Sequence, residues 1–528
     1  MLILQNISYT HSNKELLFDS IQLTVNRRDK IALTGNNGSG KSILLRIMAD
    51  ELAPGAGELH RDAVPWYIPQ LAGQYDHLTI AQALQVEEKH RALRNILDGD
   101  TSSENFQHLN EDWTIEDRCA EALHHWQLQG LDLGQKMGAL SGGQKTKVFL
   151  AGISIHRPEL VLLDEPSNHL DRPARQLLYE FVRSASCTLV VVSHDRALLR
   201  LLPTVCELRK SGITLYGGNY DFYAAQKEIE NNALSQDIGN REKALRKARE
   251  KERESLERQQ KLDAGGKRKQ EKAGIARIMM NTLRNKAENS TSKMRSVHAE
   301  KTDGIAEELQ SLRAAVAERD QMKFGFSDSA LHKGKLLFTA RGVNVSYNGE
   351  PLWKKNLDLQ IESGERIALQ GANGSGKTTL IKLVLGEIAP TTGVVQRAMT
   401  SPVYIDQDYT LMNSSRTVYA QAMQFNTSAL QEHEIKIRLN RFLFTKNDWD
   451  KPCSALSGGE RLRLLLCCWT IGARAPDLIV LDEPTNNLDL RNTAILTTAI
   501  NAYRGTLLVV SHDDEFLEEI GTTRVLQP

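Results

Sequence analysis

Two stretches of this 528-residue chain, GNNGSGKS at 35–42 and GANGSGKT at 371–378, leave little freedom for the fold around them. Each follows a short apolar run, KIALT or RIALQ, and precedes a longer one, ILLRIMA or TLIKLVL. A Gly-rich turn between a strand and a helix is a phosphate cradle. Its backbone N–H groups and the helix N-terminus hold the anion, while its lysine reaches the terminal phosphates. Gly35, Asn36, Asn37, Gly38, Ser39, Gly40, Lys41 and Ser42 make the first cradle, and Gly371, Ala372, Asn373, Gly374, Ser375, Gly376, Lys377 and Thr378 the second. ATP with Mg²⁺ is the expected ligand of each, the hydroxyls of Ser42 and Thr378 facing the metal.

Further pairs follow in the same order: YIPQ and YIDQ, SGGQ and SGGE, LVLLDEPSNHLD (160–171) and LIVLDEPTNNLD (478–489), VVVSHD (190–195) and LVVSHD (508–513). One nucleotide-binding unit has been duplicated in tandem. The spacing shows where the copies differ. The cradle lysines lie 336 residues apart and the glutamines Gln70 and Gln407 lie 337 apart, but the SGG serines only 316. The first copy therefore carries about 21 extra residues between Gln70 and Ser141, placed near 95–115, where ILDGDTSSENFQHLNEDW reads as a loop joining helices.

Between the copies the sequence changes character. From Ala224 to Lys323 there is no Phe, Trp or Tyr, and Glu, Lys, Arg, Gln and Ala dominate, as in long solvated helices. The expected organisation is a first domain at 1–223, a helical linker at 224–323 and a second domain at 324–528. Gly265-Gly266 is the clearest breaker, so the linker should be one helix over 220–262, a tip near 263–289 and a second, antiparallel helix. On the latter, Ile305, Leu309, Leu312 and Val316 form a narrow apolar stripe. A helix of about 40 residues would reach roughly 60 Å.

At the two sites Asp164 and Asp482 end apolar strands, where a carboxylate can hold the metal with Gln70 and Gln407. Glu165 and Glu483, next in sequence, are placed to polarise the attacking water. His194 and His512 could hydrogen-bond the terminal phosphate; a lone histidine is commonly structural, and recurrence at the same place argues for function. Tyr9 and Tyr347 either stack on adenine or belong to the core.

Cradle, glutamine, SGG turn, DE pair and SHD histidine together resemble an ABC-type ATPase twice over: an α/β fold of two P-loop domains joined by a long antiparallel helical linker. The resemblance implies that Ser141, Gly142, Gly143 and Gln144 face Lys377, and that Ser457, Gly458, Gly459 and Glu460 face Lys41, two ATPs clamping the halves together within a monomer. Tandem domains with DEPSNHLD and DEPTNNLD and an interdomain helical pair resemble the ABC-F subfamily of ribosome-associated ATPases. That likeness implies a partner, the ribosome, whose large-subunit ribosomal RNA and tRNA the linker meets as it enters the tRNA exit site toward the peptidyl-transferase centre. Hydrolysis would drive release. A translation factor relieving stalled ribosomes and an antibiotic-resistance factor are both implied, and a DNA-repair ATPase or a transporter subunit stands further off.

Charge supports an RNA-facing linker. Sixty-six Lys and Arg balance sixty-six Asp and Glu overall, yet residues 240–299 hold 18 against 8. Lys267, Arg268, Lys269, Lys272, Arg277, Arg284 and Lys286 are the candidates for phosphate contacts. A solvated helix surface explains the REKALRKAREKERESLER stretch almost as well, because its signs alternate at helical spacing. The six cysteines lack metal spacing, and neither a signal segment nor a membrane span stands out, so a cytoplasmic protein with no membrane subunit is expected.

Overall fold

The structure, a computed structural model, describes residues 1–11, 16–70, 73–272, 296, 300, 302–309, 332, 334–372, 374–399, 401–406, 409–472, 476–486 and 488–528. The chain divides into two units, Met1–Phe222 together with Gln321–Pro528, and Tyr223–Asp320.

In the first unit both sequence halves build the same frame. The amino-terminal half runs β1 (Leu2–Thr10), β2 (Leu16–Val25), β3 (Lys30–Thr34), α1 (Lys41–Met48), β4 (Ala56–Arg61) and β5 (Pro65–Ile68). Then come the helices α2 (Ile80–Ala83), α3 (Glu87–Leu97), α4 (Ser103–Leu109), α5 (Ile115–His125) and α6 (Gly142–His156). It closes with β6 (Leu160–Asp164), α7 (Arg172–Ser184), β7 (Thr188–Val192), α8 (Arg196–Arg200), β8 (Thr204–Arg209) and β9 (Gly212–Tyr216). The helix α9 (Tyr220–Lys272) follows. The second half repeats the plan with β10 (Leu336–Asn344), β11 (Ser346–Tyr347), β12 (Glu350–Pro351), β13 (Leu357–Glu362), β14 (Arg366–Leu369), α10 (Lys377–Leu385), β15 (Thr392–Arg397) and β16 (Pro402–Ile405). It ends with α11 (Val418–Gln424), α12 (Glu432–Arg441), α13 (Gly458–Ile471), β17 (Leu478–Asp482), α14 (Leu490–Ala502), β18 (Thr506–Val510), α15 (Asp514–Glu519) and β19 (Arg524–Leu526).

The central sheets have strand orders β5-β6-β7-β3-β8-β9 and β16-β17-β18-β14-β19, parallel but for β9. LVLLD, TLVVV and their counterparts are apolar but for the closing Asp or the opening Thr, because both faces of a parallel sheet are covered. Antiparallel sheets β2-β1-β4 and β13-β10-β15 pack against them. In such a sheet the ends of β3, β6 and β7 lie side by side, which brings the cradle, the DE pair and the SHD histidine to one edge.

The surplus in the first half is helical. An isolated bridge, Thr79 to Lys136, closes the helical region there, as Thr417 to Pro452 does in the second half. The segment expected as a loop contains α4, packed on α3 through Asn95 to Asn105; α3 meets α5 where Arg94 and His90 pair with Glu116, and Arg118 of α5 pairs with Asp112 in the turn after α4. Gly, Ser and Asn signalled the two turns around α4 and hid the short helix between them.

The linker also departs from expectation. α9 passes without interruption through Gly265 and Gly266 to Lys272. Two glycines cost a helix about 1 kcal/mol each, which long flanks of Glu, Lys, Arg and Ala can offset. Within this second unit, residues 302–309 are helical, Leu309 is buried and Arg241 pairs with Glu308 at 2.8 Å. Leu312, Val316, Arg277, Arg284 and Lys286 lie outside the described residues, and only the backbone is described for Lys267, Arg268, Lys269 and Lys272.

The halves of the first unit are joined by charges of opposite sign. Arg196 on α8 bonds Glu515 and Glu519 on α15, and Arg200 bonds Glu515 with both ends of its guanidinium. Arg172 reaches Asp514 at 3.0 Å.

Core packing has diverged between the halves by exchange of volume. Trp66 on β5 lies flat against α6, its indole N–H donating to the Phe149 carbonyl at 3.0 Å, and a Cβ on Gly152 would meet the ring at 2.0 Å. The second half has Val403 and Cys468 at these places. Gly152→Ala gains about 1 kcal/mol of helix propensity, but overpacking a buried, hydrogen-bonded indole costs about 1–3 kcal/mol. The clash should win: the variant is expected to melt several degrees below wild type by circular dichroism, whereas Cys468→Ala in α13, which only removes a sulfur, is not expected to strain its half.

Candidate nucleotide sites

Each cradle is shaped by glycines that no other residue can replace cheaply. Gly40 and Gly376 sit at the N-termini of α1 and α10 with φ of 95° and 92°. A Cβ on Gly40 would meet Phe18 at 2.8 Å, and one on Gly376 would meet Trp353 Nε1 at 2.7 Å. Lys41 Nζ donates to the carbonyls of Gly35 (2.8 Å) and Asn36 (3.1 Å), and Lys377 Nζ to those of Gly371 (2.7 Å) and Ala372 (3.0 Å). The lysines fasten their own loops and keep their charge facing the helix N-terminus, where an anion is favoured. Burial lowers the affinity of Lys41 for its proton, and the nearby carboxylates of Glu165, Asp489 and Asp164 oppose that.

Opposite each lysine stands a buried acidic pair. The Asp164 carboxyl is pushed up to about 6 by burial, against a hydrogen bond from Ser42 and the charge of Lys41. Tyr67 donates to Asp164 Oδ2 at 3.4 Å and Tyr404 to Asp482 Oδ2 at 2.9 Å. Neither tyrosine figured in the sequence reading, although its recurrence in YIPQ and YIDQ was the signal that could have found it. Glu165 and Glu483 adopt φ of 50° and 48°, left-handed backbone that few residues other than glycine accept. Their N–H groups are tied to Val192 O (2.8 Å) and Val510 O (2.9 Å), which holds the strained turn in place. Each carboxylate faces the histidine of its half, His194 Nε2 at 3.3 Å and His512 Nε2 at 3.4 Å.

Burial dominates the proton affinities of these pairs. It raises Glu165, and raises Glu483 to about 7, the charge of Arg175 pulling the latter down. It lowers His194, and lowers His512 to about 4 with help from Arg175 and Lys377. Among the described residues Asp164 Oδ1, Glu165 Oε1 and both Glu483 carboxylate oxygens meet no donor in hydrogen-bonding geometry. Buried acceptors without donors are rare unless something else is meant to meet them. Together with Ser42 and Thr378 they offer the hard oxygen ligands that Mg²⁺ takes, so the donor set fits that ion.

The first cavity, about 360 Å³, is walled by Asn37, Gly38, Gly40, Lys41, Ser42, Gln70, Asp164, Glu165, His194 and also His11. The second, about 480 Å³, is walled by Gly374, Gly376, Lys377, Thr378, Tyr404, Asp482 and Glu483 among others. Asn373 and Gln407 lie outside the described residues. Tyr347 is exposed and its hydroxyl lies 3.4 Å from Thr379 Oγ1, next to the cradle, whereas Tyr9 packs on Phe18 and His11.

The SGG turns cap helices. Ser141 and Gln144 form a reciprocal capping box at the start of α6, and Ser457 and Glu460 do so at α13. Gln144 and Glu460, expected at the nucleotide, thus spend their side chains on their own helix, and Glu460 also pairs with Lys451. Among the described residues the cavity walls do not include the SGG turn of the opposite half. What does cross is Asp489, whose Oδ2 accepts from the N–H of Asn37 in the first cradle at 3.0 Å, and Arg175, which donates to His512 O at 3.4 Å.

A family model described as "ABC transporter" matches residues 18–168 and 354–486, the two halves in turn. The chain belongs to this family. Its relatives have the same tandem plan: it is 30% identical to the ATP-binding protein YdiF of Bacillus subtilis over 552 residues, covering all of this chain and 80% of that one. It is 29% identical to the ATP-binding protein Uup of Escherichia coli, covering 96% and 77% of the two chains, and 26% identical to ABC transporter F family member 5 of Arabidopsis thaliana, covering 99% and 74%. These relatives are of the ABC-F type, and so is this ABC protein. A structure of an archaeal ribosome recycling factor, aABCE1, in complex with the ribosomal stalk protein aP1, shares the fold at a TM-score of 0.59 and 18% identity, over 99% of this chain and 87% of that one. The ABC chain is an ATPase.

The acidic pairs give this ABC ATPase a pH signature. A carboxyl raised by folding binds protons that the unfolded chain has released, so its contribution to stability is lost as pH rises from about 4.5 through about 7. The histidines act oppositely, losing stability as pH falls from 6.5 through about 4. Above 6.5 only the carboxylates count. In the nucleotide-free protein Glu483→Gln should therefore raise the melting temperature by a few degrees at about pH 8 and by only a small part of that at about pH 4.5. A gain that does not change with pH would mean that Glu483 is ionised throughout.

Proposed function

We propose that this ATPase binds the ribosome with ATP in both sites and leaves it after hydrolysis, the linker at 224–323 entering the tRNA exit site toward the peptidyl-transferase centre. The observation that carries the reading is that each half contributes to the other's site, through Asp489 on Asn37 and Arg175 on His512, so that two nucleotides can govern one closure. The linker's excess of 18 basic over 8 acidic residues in 240–299 supplies the charge that ribosomal RNA and tRNA would meet. Two structures of the same fold are those of a ribosome recycling factor and of a ribosome-bound assembly. No helix among the described residues is long and apolar enough to cross a membrane.

In this reading Lys41 and Lys377 hold the β- and γ-phosphates over the helix N-termini. Asp164 with Ser42 and Gln70, and Asp482 with Thr378 and Gln407, would hold Mg²⁺, which when bound neutralises phosphate charge. Tyr67 and Tyr404 fix the aspartates by one hydrogen bond each. Glu165 and Glu483 orient the attacking water and take up its proton, for which burial has already raised their affinity. His194 and His512, kept neutral by burial, can donate to the terminal phosphate while contacting the glutamates. Tyr347 stacks on adenine at the second site. The basic residues from Lys267 to Lys286 contact RNA. A short surplus at 95–115 beside a long linker suits an antibiotic-resistance factor acting near the peptidyl-transferase centre.

The test is sedimentation. The Glu165→Gln, Glu483→Gln double variant, incubated with ATP, should travel with ribosomes through a sucrose gradient, and Lys41→Ala with Lys377→Ala should abolish this. A double variant that stays at the top of the gradient would refute ribosome binding. In a drug-sensitive host, loss of tolerance to large-subunit drugs on deleting 267–289 would support the resistance role, and unchanged tolerance would leave the translation-factor role in its place.

A further inference from the structure

We infer that Arg175 is a positioning residue lent by the first half to the hydrolytic site of the second, and that the two ATP sites turn over at different rates because Thr493, at the corresponding place in the second half, makes no such contact with the first site. This rests on the reading of Glu165 and Glu483 as the residues that orient water.

Arg175 lies on the first turn of α7 and is buried. Its Nε donates to Leu170 O at 3.2 Å, just before Asp171 at the entry to the helix, and its Nη1 donates across the junction to His512 O at 3.4 Å. Asp195 stands 3.8 Å from the same nitrogen and is itself held by the Tyr179 hydroxyl at 2.6 Å. The guanidinium thus ties two points of the first half, Leu170 O and Asp195, to the main chain of His512, whose ring faces Glu483 at 3.4 Å. A planar fork with donors in fixed directions can do this; a lysine offers one point charge.

The duplicated sequence supplies the internal control. Position 175 corresponds to Thr493 and position 179 to Thr497. Thr493 donates its hydroxyl to Asp489 O at 3.1 Å and Thr497 to Thr493 O at 3.0 Å, both within α14. Neither reaches toward His194. The Asp489 carboxylate accepts from the Asn37 N–H of the first cradle; its counterpart Asp171 acts by charge on Lys377 and His512, and Asn373, the counterpart of Asn37, lies outside the described residues. The contrast between the sites is Arg175 against Thr493. The sequence reading missed Arg175 because it looked for what recurs, and this residue does not.

The experiment is single-turnover hydrolysis of ATP by the full chain, resolved into its two phases. Glu483→Gln should remove one phase and Glu165→Gln the other; if they do not separate, the assignment of the water-orienting glutamates fails, and this inference fails with it. If they do, Arg175→Gln should slow the phase that Glu483→Gln removes on the order of tenfold and leave the other within about twofold. Arg175→Lys, which keeps the charge beside Asp195 without the fork, should slow the same phase less. Equal rates at both sites in the wild type, or equal slowing of both phases by Arg175→Gln at unchanged melting temperature, would overturn the proposal.

Discussion

Glu165 and Glu483 leave buried strands through left-handed backbone, a conformation that costs on the order of 1–3 kcal/mol for a residue with a side chain. Each also buries a carboxylate, and Glu165 Oε1 and both Glu483 oxygens meet no donor in hydrogen-bonding geometry among the described residues. Such a turn survives only where its neighbours over-determine it. Here the neighbours are the fully apolar strands β6, β7, β17 and β18, whose register fixes the turn by the N–H to Val192 or Val510. The rest of each half follows from that requirement. The sheet must be parallel and covered on both faces, the cradle must leave an adjacent strand, and the helices that cover the sheet must begin where the nucleotide lies.

Duplication let the two halves keep this frame and change what touches it. Within each half the chemistry is repeated: lysine on loop carbonyls, tyrosine on aspartate, histidine on glutamate. Between the halves it is not wholly so: Arg175 meets the main chain of His512, while Thr493 at the corresponding place bonds within its own helix. Identical sites in identical surroundings could only act alike.

The parts of this fold that the sequence made legible are the repeated ones. Cradle, DE pair and histidine could be read because the same residues recur at the same spacing, each beside an apolar run. What was missed depends on single residues or on context. The helix α4 was hidden by the Gly, Ser and Asn of its flanking turns, and α9 absorbs Gly265 and Gly266 because helix propensity adds over a long segment. Gln144 and Glu460 were assigned to the nucleotide, yet three residues after a capping serine such side chains also fit the cap. Trp66 with Gly152, exchanged for Val403 with Cys468, shows why: packing constrains summed volume, which no single position reveals.

The charges on α8 and α15 carry a consequence for ancestry. A gene that has just doubled encodes identical halves, and either could pair with another of its own kind. Once arginines occupied the helix after one histidine and carboxylates the helix after the other, that edge lost its self-affinity. Two amino-terminal halves would now set Arg196 and Arg200 against Ala197 and Leu201, and two carboxyl-terminal halves would set Glu515 and Glu519 against Asp514 and Glu518. The divergence works as a ratchet. A return to a symmetric homodimer would require several reversals at once, while each single reversal is repelled by its neighbours, so the halves can inherit only as a pair.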